Sequence, residues 1–85
     1  MQVEAFGRFF EIPETMIREF MNEFNGIAQP GNREDLEEIR DTTTIVLLMM
    51  HEEPDLLEDK EYEHDFIKAH AMRQALHNYG VLFDA

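Results

Sequence analysis

Eight carboxylate side chains lie within the fourteen residues from position 52 to position 65, here called the acidic segment. Lys60 is the only basic residue in this segment, so its net charge is about −7 with histidine counted as neutral. Helical residues three or four positions apart lie about 5–6 Å from one another, and a row of carboxylates at that spacing can imitate a line of phosphates. Glu58, Glu61 and Asp65 are predicted to form such a row. The pattern predicts a surface that binds a basic protein.

The predicted partner-binding site comprises the carboxylates of the acidic segment and one aromatic neighbour: Glu52, Glu53, Asp55, Glu58, Glu61, Tyr62, Glu63 and Asp65. A simpler interpretation is a solvated face that keeps the chain soluble. Acids in the first turn of a helix also stabilise that helix, by about 0.3–1 kcal/mol each. Glu58 and Asp59 fit this explanation. Glu61, Glu63 and Asp65 are expected to lie beyond the first turn and fit it less well.

Four histidines stand among the acids, which makes metal binding an alternative. Glu61 and His64 form one Glu-x-x-His step of the kind found in di-iron helical bundles, but a second step and further inward glutamates are needed and are not present. His70 and His77 share a helix face but are two turns apart, which is too far to bind one ion without a third element. We therefore expect no metal site and no cofactor.

Groups that could carry catalysis are scarce in this chain. It contains no cysteine, no serine and no glycine-rich phosphate loop. A pair of carboxylates could act in acid–base chemistry, but acids are so abundant here that their presence alone indicates nothing. We therefore expect no catalytic residues and a protein that is not an enzyme.

Composition limits the kind of protein and its partners. The chain has 85 residues, a net charge of −12 and 44% hydrophobic residues, which predicts a single folded domain over residues 1–85. Nucleic acid and anionic membranes would repel such a charge, so direct binding to either is not expected. The longest apolar run, 45–50, is too short to span a bilayer, and the N-terminus does not resemble a signal peptide. The chain has no cysteine, which fits a reducing compartment, so we expect it in the cytoplasm.

The acidic segment must be positioned by helices. The pattern predicts a mainly α, small three-helix domain with helices at about 13–25, 32–52 and 55–79. Pro13 suits a first helical turn, and Asn25-Gly26 is a stop signal. Asn32 is a predicted N-cap. Asp55 and Glu58 resemble a capping box that opens the third helix, and Gly80 ends it.

Three segments are harder to assign. Residues 1–12 fit a strand or a helix, and residues 81–83 read as a short extended piece, so the two ends could pair as a small ribbon. The apolar run 45–50 is expected to be buried on all sides of its helix. The β-branched run 42–46 leaves a strand as the alternative there.

These features favour a small acidic protein-binding inhibitor that occupies a basic, nucleic-acid-handling partner. In composition the chain resembles the small acidic inhibitors carried by phages and mobile elements, such as anti-CRISPR and anti-restriction proteins, without a motif that identifies a family. The alternative is a helical structural or regulatory adaptor, or an antitoxin, whose acidity serves solubility. A homodimer is a further expectation, because the chain has many apolar residues for one small core.

Overall fold

The structure, a computed structural model, describes residues 1–27 and 33–81. In chain order it contains β1 (Gln2–Ala5), β2 (Arg8–Glu11), α1 (Glu14–Ile27), α2 (Arg33–Glu52), a 3₁₀ helix (Pro54–Glu58) and α3 (Lys60–Asn78). The predicted mainly α, three-helix architecture is confirmed. The predicted Asn32 cap, the turn at 29–31 and the tail at 82–83 lie outside the described residues.

The N-terminal segment folds on itself as an antiparallel hairpin. β1 pairs with β2 in a register that places Ala5 opposite Arg8, which leaves a two-residue turn at Phe6 and Gly7. Both turn residues have positive φ, 56° and 73°, as the type I′ turns of tight hairpins require. β1 therefore pairs with the next strand in the chain. Most of the C-terminal piece with which it was predicted to pair, 82–83, lies outside the described residues. The ambiguity of residues 1–12 is resolved as strand.

The core lies where the hairpin, the three helices and the 3₁₀ helix meet. The Phe66 ring is fully buried, and its centre lies 4.8 Å from the centre of the Phe10 ring in an edge-on arrangement. Ile12, which lies between β2 and α1, and Ile17 in α1 join this cluster. A second cluster around Leu76 and Phe24 joins the far ends of α1 and α3. α3 packs against α1, α2 and the 3₁₀ helix, which makes it the central element of the domain.

α1 extends further than its sequence predicts. The stop predicted at Asn25-Gly26 is wrong, because the helix continues to Ile27. Glycine inside a helix costs only about 1 kcal/mol, and tertiary contacts outweigh that cost here. Phe24 is buried, and the Tyr79 hydroxyl donates to the carbonyl of Met21 at 2.8 Å. These contacts hold the last turn of α1 against α3.

α2 is a helix throughout, so the strand alternative for residues 42–46 is wrong. The hydroxyls of Thr43 and Thr44 donate to carbonyls four residues back, at 2.8 and 2.9 Å, which gives these β-branched residues partners inside the helix. Burial on all sides of 45–50 is also wrong: Ile45 is 66% exposed, Leu48 57% and Met49 42%. The reason is that α2 packs mainly against α3 and only lightly against α1.

α3 begins five residues later than predicted. The proposed capping box at Asp55 and Glu58 is wrong, because these residues belong to the 3₁₀ helix. Asp59 is the N-cap instead: its backbone is extended and its carboxylate accepts the Glu61 N–H at 2.8 Å. Leu57 is buried, which anchors the 3₁₀ helix and turns the chain before the new helix starts.

The predicted end of α3 at Gly80 is confirmed. Gly80 has a φ of 77°, its N–H donates to the His77 carbonyl, and the Val81 N–H donates to the Leu76 carbonyl. This pair of hydrogen bonds is a Schellman motif, and the buried side chains of Leu76 and Val81 lie in one cluster as that motif favours. Across the described residues, no helix combines the length and apolar character needed to cross a membrane.

Candidate functional site

The acidic segment lies on the surface around the 3₁₀ helix. Seven of its eight acids are exposed and Glu63 is half-buried. Among the described residues, six of the exposed acids have no hydrogen bond or ion pair to their carboxylates: Glu52, Glu53, Asp55, Glu58, Glu61 and Asp65. Asp59 is the exception, as it caps α3. The segment therefore presents a largely unneutralised negative surface.

The predicted row of Glu58, Glu61 and Asp65 does not form on one helix. Glu58 ends the 3₁₀ helix, and the chain bends at Asp59 before α3 starts. Only Glu61 and Asp65 are four apart on α3, where they lie on one face. The acids are therefore spread over a bend rather than set in a line.

Helix ends divide the acids into two groups. Glu61 and Glu63 lie in the first turn of α3, contrary to expectation, and the helix dipole stabilises negative charge there. Glu52 is the last residue of α2 and Glu53 follows it, at the end where the dipole disfavours negative charge. The first group has a structural explanation. Glu52 is placed against the preference of its own helix, and Glu53 lies between α2 and the 3₁₀ helix.

Glu63 has a defined structural role. The Arg8 guanidinium donates to Glu63 Oε2 at 2.7 Å, which joins the hairpin to the first turn of α3. The carbon at the centre of the same guanidinium lies 4.4 Å from the centre of the Phe10 ring. Glu63 is consequently the least suited of the predicted site residues to contact a partner.

Tyr62 links the acidic segment to an apolar groove between α2 and α3, which we call the α2–α3 groove. Its volume is about 680 Å³, and Tyr62 and Asp65 line it from α3. Its apolar lining comes from both helices: Ile39, Val46, Met49, Met50, Ala69 and Met72. Asp35 and Glu38 lie on the α2 side and Lys68 on the α3 side. The acidic segment and the groove therefore form one continuous surface.

The sequence does not reveal this groove. Ile39, Val46 and Met50 have the spacing of one helix face, and the apolar face of a helix ordinarily packs into a core. A useful signal was available in the excess of apolar residues, especially methionine, which is common on adaptable binding surfaces. Which of them face the groove depends on the angle at which α2 meets α3, and that angle is a property of the packing.

The histidines are dispersed rather than clustered. Within residues 1–27 and 33–81, no group of three or more His, Asp or Glu side chains is arranged to hold a metal ion. His51 lies against the Phe6 ring, with 4.9 Å between ring centres. His70 packs edge-on against Phe66, and its Nε2 is buried with no hydrogen-bond partner in the described structure.

His70 is held in its neutral form. Burial lowers the pKa of its imidazole to about 4, with smaller effects from the positive charges of Arg73 and His51. A neutral, unpartnered imidazole beside Phe66 acts mainly as an aromatic packing group. The lowered pKa makes it a source of pH-dependent stability rather than a proton donor to a ligand.

Comparison of the chain with protein-family models, with curated proteins and with solved structures found no match. The functional interpretation therefore depends on the geometry of the site itself.

Proposed function

We propose that this chain is a small acidic protein-binding inhibitor that occupies a basic, nucleic-acid-handling partner, of the kind that phages and mobile elements use against host defences. The partner contacts the acidic segment, and Tyr62 supplies an aromatic anchor at its edge. The protein acts in the cytoplasm, where such partners act, and it performs no catalysis itself.

One observation carries this proposal. The carboxylates of Glu52 and Glu53 are exposed and have no hydrogen bond or ion pair among the described residues, and Glu52 also lies at the negative end of α2. Asp55 and Glu58 follow within the 3₁₀ helix, also exposed and unpaired. Exposed acids whose carboxylates have no described partner, concentrated at one bend, favour a role in electrostatic recognition. Such complementarity mainly accelerates association and selects the partner.

A homodimeric helical adaptor is the second candidate, and the exposed apolar residues of α2 favour it. Ile45, Leu48 and Met49 lie at i, i+3 and i+4 and so share one face. Asp41 and Glu52 lie one turn beyond this face at either end. A symmetric pairing of two such faces would bring like charges together, which disfavours a dimer and leaves the inhibitor as the better-supported function.

Affinity capture from bacterial lysate at moderate salt tests the proposal. We expect the tagged wild-type chain to retain one basic nucleic-acid-handling protein. The triple variant Glu52→Lys/Glu53→Lys/Asp55→Lys should lose it. The matched control Glu4→Lys/Glu19→Lys/Glu23→Lys makes the same change in net charge at exposed positions on β1 and α1, and it should still retain the partner. Equal capture by both variants would rule out the acidic segment as the binding site.

A further inference from the structure

The α2–α3 groove has the lining of an adaptable peptide-binding site. Three of the six methionines of the chain line it, together with Val46 and Ile39: Met49 is exposed, Met72 half-buried, and Met50 buried where the groove meets the core. Methionine side chains are flexible and polarisable, so they can repack around differently shaped apolar groups. A site with this lining suits an occupant that inserts several apolar side chains rather than one rigid small molecule.

The charges around the groove select a basic occupant. Three carboxylates, from Asp35, Glu38 and Asp65, line it against the single ammonium group of Lys68. The unpaired acids of the adjoining acidic segment add to the negative potential. A second copy of this chain is a poor occupant, because its exposed helix face at Ile45 and Leu48 is bordered by acids.

The shape of the groove favours a helix as the occupant. Both walls are helices, so the groove offers no strand edge to which an extended peptide could add. Along α2 the lining runs from Asp35 to Met50, which at the helical rise of about 1.5 Å per residue spans about 22 Å, or four turns. An amphipathic helix of four to five turns matches that length.

We propose that the α2–α3 groove binds a basic amphipathic helix of the partner protein, with apolar side chains between α2 and α3 and lysine or arginine side chains against the acidic rim. This inference rests on the proposed function, because it names the part of the partner that the chain recognises. The groove gives affinity through apolar burial, and the acidic segment steers the basic partner toward it.

The probe is a synthetic peptide of about 18 residues, built from Leu and Lys with the leucines on one helical face and both termini blocked. One control peptide has the same composition in scrambled order, and another has Glu in place of Lys. Carbon-13 labelling of the methionine methyl groups of the full chain reports the binding site. We expect the peptide to shift the signals of Met49, Met50 and Met72, and to leave those of Met16 and Met21 unchanged.

Two substitutions on neighbouring positions of α2 sharpen the test. Met49→Lys places a cation in the groove, whereas Leu48→Lys places the same charge on an exposed position outside its lining. Binding of the amphipathic peptide should weaken by about tenfold or more with Met49→Lys and by less than about threefold with Leu48→Lys. Equal weakening by both substitutions, or equal affinity for the scrambled peptide, would overturn the proposal.

Self-association is a separate outcome that would overturn it. If the methyl signals of Met49, Met50 and Met72 shift with the concentration of the chain alone, and sedimentation shows a dimer, then a second copy fills the groove.

The helix-binding groove and the inhibitor function can be rejected separately, because different experiments test them. Glu52, Glu53 and Asp55 do not line the groove, so lysate capture with their charge-reversal variant tests the acidic segment alone. Capture that depends on those acids, combined with no peptide binding in the groove, would retain the inhibitor and reject the helix-binding groove. Loss of peptide selectivity and loss of acid-dependent capture together would reject both.

Discussion

The centre of the Phe6 ring lies 5.8 Å from the centre of the Phe66 ring, although the Phe6 backbone has a φ of 56°, which non-glycine residues rarely adopt. The left-handed conformation costs about 1–2 kcal/mol. Each aromatic contact contributes about 0.5–1.5 kcal/mol, and Phe6 also packs against His51. The hairpin turn is thus held over the core by a ring whose contacts offset the strain of its own backbone.

Phe6→Asn should destabilise the fold by about 1 kcal/mol, because asparagine suits a type I′ turn but loses both ring contacts. Phe6→Ala should cost about 2 kcal/mol, since alanine loses the rings and keeps the backbone strain. Urea denaturation of the two variants measures both values. A Phe6→Asn variant as stable as the wild type would mean that the ring contacts stabilise the fold by no more than the backbone strain destabilises it.

Glu63→Gln should lower stability by about 0.2–1 kcal/mol, the range for an exposed ion pair. Arg8→Ala should cost about 0.5–1 kcal/mol more, because it also removes the guanidinium from the face of Phe10. A double-mutant cycle by urea denaturation separates the two contributions. Equal losses from the two single variants would show that the contact with Phe10 contributes nothing.

Stability should fall as the pH is lowered from about 6.5 toward 4, because the pKa of His70 is about 4 in the folded state and about 6.5 when unfolded. The unfolded chain binds the extra proton in this window, so acid favours unfolding. The ring is only partly buried, so solvent screening reduces the loss between pH 7 and pH 5 to about 1 kcal/mol.

The variant His70→Phe keeps the ring against Phe66 and cannot titrate, so its stability should change less with pH than that of the wild type. The groups around His70 are Arg73 and His77 on α3, His51 on α2 and the N-terminal strand, and all of them remain in the variant. The exposed His64→Gln serves as the control. Parallel pH profiles for wild type and His70→Phe would contradict the assignment.

Two charge reversals should change stability in opposite directions. Glu52→Lys places a cation at the C-terminal end of α2 and should raise stability by about 0.3–1 kcal/mol. Glu61→Lys places one in the first turn of α3 and should lower it by a similar amount. Thermal unfolding at low salt compares them at equal net charge. A stabilised Glu52→Lys that fails to bind the partner would show that function retains an unfavourable charge.

The sequence predicts the helices well, because their apolar stripes and the Gly80 cap are local signals. It places the start of α3 wrongly. Asp55 and Asp59 are both plausible N-caps, and which of them caps α3 depends on the burial of Leu57. For the candidate site, the sequence locates the acids but not the exposure of Ile45. That exposure follows from the packing of α2 mainly on one neighbour, which no local pattern encodes.

If the chain inhibits its partner by blocking nucleic-acid binding, it must compete with that nucleic acid, and a displacement titration measures this competition. The captured partner is bound to a fluorescently labelled nucleic acid, and the chain is titrated in while anisotropy is recorded. We predict that the wild type releases the nucleic acid at stoichiometric concentrations, and that the Glu52→Lys/Glu53→Lys/Asp55→Lys variant does not. A ternary complex, with the nucleic acid still bound beside the wild-type chain, would show that the chain does not block the nucleic-acid site.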